Sequence, residues 1–328
     1  MNKNIIKIGN KKISKDSPVF IIAEAGVNHN QRLDLALKLI DVAALCGADA
    51  VKFQTARAEQ VVTAAGEMAD YQKKNLGVTE SQLDMLKKLM LPEEWYPKLI
   101  KRSREKKIIF LSTPHGGFES VDFLQKLNVP AFKFGSGDLT NLPVLQYAAK
   151  FKKPMILGTG MATMAEVKEA IECIKKTGNK KIIALHCTTN YPCPLNEVNL
   201  KAMETMMQEL DVLIGYSDHT LGVQVPIMAV TMGACVIEKH FTLSKKMSGP
   251  DHKASLEPDE LKKMVEAIRN AENAFGSMVK KPTKAEEKLK KIARKSIVAN
   301  LDIKKGDKFT VNNLAIKRPG TGLIPKEY

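Results

Sequence analysis

Two histidines, His219 and His240, lie at the ends of two short apolar runs, VLIGYSD (Val212–Asp218) and CVIEKHF (Cys235–Phe241). Both runs read as buried strands, and their carboxyl ends also carry Ser217, Asp218, Glu238 and Lys239. Adjacent parallel strands set such ends side by side at one mouth. Two imidazoles there can share one divalent ion, leaving its other positions to water or substrate. The competing reading is a pair of hydrogen-bonded core histidines. Their equivalent positions amid so many polar groups favour ligation.

A second set surrounds two lysines, Lys52 in VKFQT and Lys133 in FKFGSGD. Each could simply pair with a carboxylate, and Ser136 could simply cap a helix. Taken together, two inward lysines, the hydroxyls of Ser and Thr residues and the backbone N–H groups of glycine turns make an anion cradle. A metal beside that cradle can polarise an aldehyde or ketone oxygen. With carboxylates such as Glu24 and Asp138 nearby, the set suits carbon–carbon bond formation between an anionic three-carbon unit and a polyhydroxylated carbonyl compound.

These residues must be positioned by a repeated scaffold. The strands VFIIAEAG (Val19–Gly26), ADAVKFQT (Ala48–Thr55), IIFLSTP (Ile108–Pro114), AFKFGSGD (Ala131–Asp138), PMILGTGM (Pro154–Met161) and KIIALHCT (Lys181–Thr188) precede the two histidine strands. Amphipathic helical stretches such as MAEVKEAIECIKKTG separate them. Near-continuous apolar strands mean that both faces of the sheet are covered. Eight such units predict an α/β fold, a (β/α)8 TIM barrel, whose chemistry sits at the carboxyl ends of its strands. Every strand here ends in polar residues, among them Glu24, Asn28 and His29, Lys52 and Gln54, Thr113, Thr159 and His186. A doubly wound open sheet is the alternative, but EAGVNHN matches its glycine fingerprint poorly. The expected domains are an N-terminal hairpin over residues 1–16 that plugs the barrel's closed end, the barrel over 17–279, a charged linker over 280–294, and a small β-rich module over 295–328.

The net charge of +15 raises a nucleic-acid reading. Residues 280–328 hold 14 Lys+Arg against 5 Asp+Glu, so +9 of it falls in that short segment. Elsewhere the lysines lie on helix faces, and aromatic residues make up only 5% of the chain, too few for stacking platforms. No nucleic-acid partner is expected. Neither a run of about 18 apolar residues nor a signal peptide is legible, so no membrane partner is expected either. Five cysteines, an odd number without metal-knuckle spacing, fit a reduced, cytoplasmic setting.

The motifs IIAEAGVNHN, VKFQT, FLSTP, FKFGSGD, ILGTGM, LHCTTNYP, GYSDHT, EKHFTL and GPDHKASLEP occur in order over almost the whole chain. Together they resemble the bacterial sialic acid synthase family, which includes N-acetylneuraminate, legionaminate and pseudaminate synthases. The segment RKSIVANLDIKKGDKFTVNNLAIKRPGTGL resembles that family's antifreeze-like (SAF) domain, in an apparently incomplete form. The resemblance implies condensation of phosphoenolpyruvate with an N-acyl mannosamine-type sugar, with C–O cleavage and release of phosphate. It implies His219 and His240 as ligands of a divalent metal, manganese most of all, with magnesium or cobalt as alternatives. It further implies phosphoenolpyruvate on Lys52, Thr113, Lys133, Ser136 and Ser217, and sugar on Glu24, Gln54, Tyr191 and Asp251. Asp138 stands where relatives often carry a Glu that helps to activate water, and its side chain is one methylene shorter. Gly158 and Thr189 also replace a family Ser and Asn. Arg318, in KRPGTG, matches an arginine that reaches the partner's site in a domain-swapped homodimer. GPDHKASL resembles the neuraminate and legionaminate members more than the pseudaminate ones. The rival enzyme reading is a metal-independent aldolase that uses Lys133 as a Schiff-base amine on pyruvate.

Overall fold

The computed structural model describes residues 4–77 and 80–328. Residues 1–3 of the expected N-terminal hairpin lie outside the described residues. The chain divides into two compact units, Met1–Ala274 and Phe275–Tyr328.

The first unit opens with a hairpin of β1 (Ile6–Ile8) and β2 (Lys11–Ile13), turned at Gly9–Asn10. Eight strands follow: β3 (Phe20–Gly26), β4 (Ala50–Thr55), β5 (Ile109–Pro114), β6 (Phe132–Phe134), β7 (Met155–Gly158), β8 (Ile182–His186), β9 (Leu213–Asp218) and β10 (Val236–His240). They form one sheet in the order β5-β4-β3-β10-β9-β8-β7-β6, and all its ladders are parallel. β5 also lies against β6, so the two ends of the sheet meet. The order runs once around a ring and never reverses, which distinguishes a (β/α)8 barrel from a doubly wound sheet.

Alternation along each strand builds two apolar cores. Outward residues such as Ile21, Val51, Phe53, Phe110, Phe132, Phe134 and Ile237 pack against the helices. Inward residues Phe20, Ile22, Ala50, Leu111, Ile156, Ile183, Leu213 and Val236 fill the barrel's lower half together with Ile6, Ile8 and Ile13 of the hairpin. The hairpin therefore caps the barrel with three buried isoleucines, and the polar ends of the strands face the opposite mouth. The run Ala131–Asp138, expected as a strand throughout, is a strand only over Phe132–Phe134. Beyond Gly135 it tightens into the 3-10 turn Ser136–Asp138, closed by the Asp138 N–H donating to the Gly135 carbonyl at 3.1 Å.

Between β4 and β5 the chain inserts the short helices Ala58–Val61, Asp70–Leu76 and Gln82–Lys87. Met68, Met85, Leu89 and Met90 of this stretch pack with Ala58 and with Val27 from the loop after β3. The insertion is thereby anchored on the mouth side of the barrel.

In the second unit, the helix Lys284–Ala293 starts at a capping box in which the Glu286 N–H donates to Thr283 Oγ1 and the Thr283 N–H to Glu286 Oε2. It lies within the span expected as a linker. β11 (Ser296–Ala299) and β12 (Leu314–Lys317) pair antiparallel. Ser296 is buried, while Leu289, Ile292, Phe309, Val311 and Leu323 are exposed.

One buried ion pair ties the histidine strands together outside the barrel. Lys239 alternates outward between Glu238 and His240, and its Nζ is bonded to Asp218 and to the Thr220 carbonyl. Asp218 also accepts from Tyr216 Oη at 3.1 Å and from the Thr220 N–H at 3.1 Å. Removing the lysine leaves a carboxylate charge without a counter-ion in the interior. Lys239→Met is expected to cost about 3–5 kcal/mol in urea unfolding. Adding Asp218→Asn should recover part of that loss, and a loss under about 1 kcal/mol would show the pair to be dispensable.

Candidate active site

Strand register gathers the mouth residues. Glu24 of β3 is level with Lys52 of β4 on one side and with His240 of β10 on the other. Glu238 is level with Ser217 of β9, and Gln54 with Thr113 of β5. Residues at matched positions on parallel strands point to the same face, so all seven side chains enter the barrel.

Lys52 and Lys133 meet across the barrel through one carboxylate. Glu238 Oε1 lies 3.3 Å from Lys133 Nζ and 3.8 Å from Lys52 Nζ, and it accepts from Ser217 Oγ at 3.3 Å. Lys52 Nζ is also 2.8 Å from Glu24 Oε2 and donates to Thr113 Oγ1 at 3.0 Å. Gln54 Nε2 donates to Glu24 Oε1 at 3.3 Å. All four charged side chains are buried. Burial alone would raise the Glu238 pKa, but Lys133 and Lys52 outweigh it and hold the carboxyl below its usual range. Burial pushes Lys52 down, yet Glu238 and Glu24 hold it above its ordinary value. Glu24 is displaced upward, chiefly by burial, against the pull of Lys52. Lys52 and Lys133 thus converge on one buried carboxylate in the barrel mouth.

The imidazoles stand beside this group. The His219 and His240 rings are 5.6 Å apart between centroids. His219 Nδ1 is 2.6 Å from the Thr188 carbonyl, which can only accept. The proton is therefore on Nδ1, and the lone pair is on Nε2. His240 Nδ1 is buried and has no hydrogen-bond partner. Burial lowers the pKa of both rings, and for His240 the neighbouring His219 adds to the effect. Two neutral imidazoles with uncommitted nitrogens are the donor set a divalent cation requires, so these residues fit such an ion. Among the described residues no three His, Cys, Asp or Glu side chains form a ready metal cage. Further positions would fall to water or substrate. Gly26 shapes this corner: its φ of +51° is left-handed, and a Cβ there would stand 3.4 Å from Glu24 Oε1 and 3.5 Å from both Gln54 Nε2 and His240 Cε1.

An aromatic wall closes the other side. Tyr191 packs on His219 at 4.1 Å and edge-on to His240 at 5.6 Å between centroids. Tyr71, from the insertion, stacks on Tyr191 at 5.3 Å. Asn75 on the same inserted helix donates to the Pro250 carbonyl at 2.6 Å, tying the insertion to the loop that carries Asp251. Asp251 is buried with Oδ1 unpaired. Burial, then the charge of Glu24, raises its pKa to about 7. Behind it, His252 bonds Thr242 Oγ1 at 2.6 Å and Asn30 Oδ1 at 3.0 Å, and burial lowers its pKa to about 4.

Ser136 opens a separate corner. Its Oγ accepts from the Gly160 N–H at 3.0 Å and lies 3.1 Å from Cys187 Sγ. Asp138, two residues on, pairs instead with His115, at 3.0 Å between Oδ2 and Nδ1. Arg318 is exposed in the second unit. Motif reading names Glu238 only as a strand-end residue. Its parity with His240 along one strand is the signal that places it inside. Tyr71, Asn75 and His115 are absent from the sequence-derived site. The first two lie in an insertion without periodicity, and His115 follows a strand end among glycines.

Fold and mouth together define a (β/α)8-barrel enzyme with a buried lysine–carboxylate cradle beside a histidine pair. A family model described as the NeuB family matches residues 39–280, and the chain belongs to that family. The chain is similar to N,N'-diacetyllegionaminic acid synthase of Campylobacter jejuni, 51% identical over 94% of this chain and 92% of that protein. It is likewise similar to the protein of the same name from Legionella pneumophila, 46% identical over 97% of this chain and 92% of that one. Among solved structures, the N-acetylneuraminic acid (sialic acid) synthetase of Leptospira borgpetersenii in complex with citrate superposes with a TM-score of 0.77 at 33% identity, covering 87% of this chain and 95% of that one.

The high pKa of Asp251 has a consequence for stability. Between its ordinary value of 3.8 and about 7 the folded chain keeps a proton that the unfolded chain has released. Stability from this group therefore falls as pH rises through that window, and the deficit is complete above about pH 7. Asp251→Asn should gain on the wild type by on the order of 3 kcal/mol between pH 5 and pH 8 in urea unfolding. A constant difference between the two proteins would show that the carboxyl is already ionised at pH 5.

Proposed function

We propose that the chain condenses phosphoenolpyruvate with an N-acyl mannosamine-type sugar, giving a nine-carbon nonulosonic acid and phosphate. The observation that carries this reading is the buried pair Lys52 and Lys133, converging on Glu238 beside two neutral histidines. The two named legionaminic acid synthases, each alike over nearly their whole length, favour 2,4-diacetamido-2,4,6-trideoxymannose as acceptor and legionaminate as product. N-acetylmannosamine, with N-acetylneuraminate as product, is the second acceptor to test, and a pseudaminate precursor the third.

The two lysines, Thr113, Ser217 and Ser136 bind the phosphate and carboxylate of phosphoenolpyruvate and fix its orientation. Glu24 and Gln54, beside Lys52, hold the sugar together with Tyr191 and Asp251 of the other wall. A neutral Asp251 can donate as well as accept a hydrogen bond to a hydroxyl. Tyr191 and Tyr71 cover the apolar face of the sugar and keep water out. C3 of phosphoenolpyruvate bonds to the aldehyde carbon, water adds at C2, and the C2–O bond to phosphate breaks. Of the two protons the water gives up, one goes to the new hydroxyl and one to the phosphate. Asp138 is the carboxylate that would take the proton bound for the phosphate. His219 and His240 would hold a divalent ion, manganese most suitably, and such an ion when bound polarises the carbonyl oxygen of the sugar. A homodimer in which Arg318 reaches the partner's site agrees with the exposed Leu289, Ile292 and Phe309 of the second unit. The unpaired state of all five cysteines agrees with a cytoplasmic setting.

The test is phosphate release from phosphoenolpyruvate with each of the three sugars, with manganese and with EDTA. Release with the legionaminate precursor, at a kcat/KM at least tenfold above the other two, is expected, and EDTA should abolish it. His240→Ala should lower kcat at least 100-fold and weaken manganese binding measured by calorimetry. Absence of release with every sugar, together with borohydride trapping of pyruvate on Lys133, would replace this reading with the Schiff-base aldolase.

A further inference from the structure

We propose that His115 is the positioning residue of Asp138, and that the two act as one unit across the β5–β6 seam. The inference rests on the condensation reading above, in which Asp138 takes a proton from water. The seam is where the ends of the sheet meet: β5 and β6 lie against each other, while paired ladders join the other neighbours. The backbone at this point is held from the β4–β5 side, because the His115 N–H donates to the Thr55 carbonyl at 2.9 Å and the Thr113 carbonyl at 3.1 Å. The ring then crosses to the β6 side, where Nδ1 meets Asp138 Oδ2 at 3.0 Å.

Two further observations show that this crossing is built. The ring rests on the bare Cα of Gly135, where a Cβ would come within 2.9 Å of His115 Cε1 and 3.5 Å of Asp138 Oδ2. A side chain at 135 would force the imidazole to shift from this position. Asp138 also sits on a tight turn whose first residue, Ser136, accepts through Oγ from the Gly160 N–H, which restrains the turn. A short carboxylate on a fixed turn has few ways to hold its orientation. A ring N–H supplies one: it occupies one lobe of Oδ2 and leaves Oδ1 for the water.

In the step this serves, the Asp138 carboxylate accepts one proton as the water oxygen bonds to C2. It passes that proton to the phosphate as the C2–O bond breaks. His115 neither gains nor loses a proton in this sequence. Its contribution is the fixed direction of the carboxylate, so its loss should be felt in turnover and only through Asp138.

The experiment measures kcat and both KM values by phosphate release for the full chain carrying His115→Ala, His115→Leu, His115→Asn, Asp138→Asn, and His115→Ala with Asp138→Asn. His115→Ala and His115→Leu should lower kcat about tenfold and leave each KM within about twofold, while Asp138→Asn lowers kcat about 100-fold. His115→Asn, whose amide nitrogen replaces Nδ1, should stay within about threefold of wild type. The double variant should be no slower than Asp138→Asn alone. Melting temperatures identify any variant that fails to fold, and the leucine variant, which keeps bulk without a donor, answers for the alanine one. Wild-type kcat in both His115→Ala and His115→Leu, or losses that multiply in the double variant, would overturn the proposal. No phosphate release by the wild type with any sugar would instead overturn the condensation reading, and this inference with it.

Discussion

Four charges in the barrel mouth, two ammonium and two carboxylate, set the conditions for everything around them. Glu24, Lys52, Glu238 and Lys133 are buried, and Glu238 serves as acceptor for both lysines. A single unpaired charge at this depth would either neutralise or carry a desolvation penalty of several kcal/mol. The quartet offsets much of that cost because its formal charges cancel and each member faces an opposite one, although burial still displaces Glu24 upward. A buried ion pair of this kind is poor evidence for stability. It is better understood as a means of holding two lysine side chains in place inside the mouth. An anionic ligand entering the mouth would meet two lysines that are already positioned, with little reorganisation needed.

This arrangement depends on strand register. In a parallel barrel a shift of one residue would exchange inside for outside along a whole strand. β10 shows what hangs on it: Glu238 and His240 face the cavity, while Lys239 between them faces Asp218 in the layer beneath the helices. The outward ion pair and the inward site thus fix the same register from opposite faces. Below them the inward residues are apolar, and the hairpin isoleucines close the end. Tyr71 and Tyr191 stand stacked on one another at the open mouth.

Much of this was legible in the amino-acid sequence, because it depends on local rules. Eight apolar runs separated by amphipathic helices imply a parallel sheet with both faces covered, and polar residues at each carboxyl end imply one functional mouth. Lys52, Lys133, His219 and His240 follow from that argument alone. What escaped it depends on contacts between distant segments. Glu238 reads as one polar residue among several until its two lysine partners, 186 and 105 positions earlier, are brought to it. Tyr71 lies in an insertion whose pattern says nothing of where it folds back. His115 could be linked to Asp138 only across a seam that no ladder marks. β6 is also shorter than its strand-like run suggests, because Gly135 starts a turn inside it.

The mouth also separates two kinds of surface, and the separation bears on how two substrates would be told apart. One wall is ionic, with lysines aimed at anionic groups. The other is aromatic and carries Asp251, whose carboxyl stays protonated up to about pH 7. An anion placed against the second wall would meet the phenol rings and a carboxyl that ionises least readily near other negative charge. A neutral, polyhydroxylated sugar placed against the first would leave two lysines with only their resident carboxylates. Each wall therefore favours one class of reactant and disfavours the other, and specificity comes from both. The histidine pair lies between the walls, packed on Tyr191 and adjoining Glu24 through the open face of Gly26. The pair therefore adjoins both walls, next to the ionic cluster on one side and the phenol rings on the other.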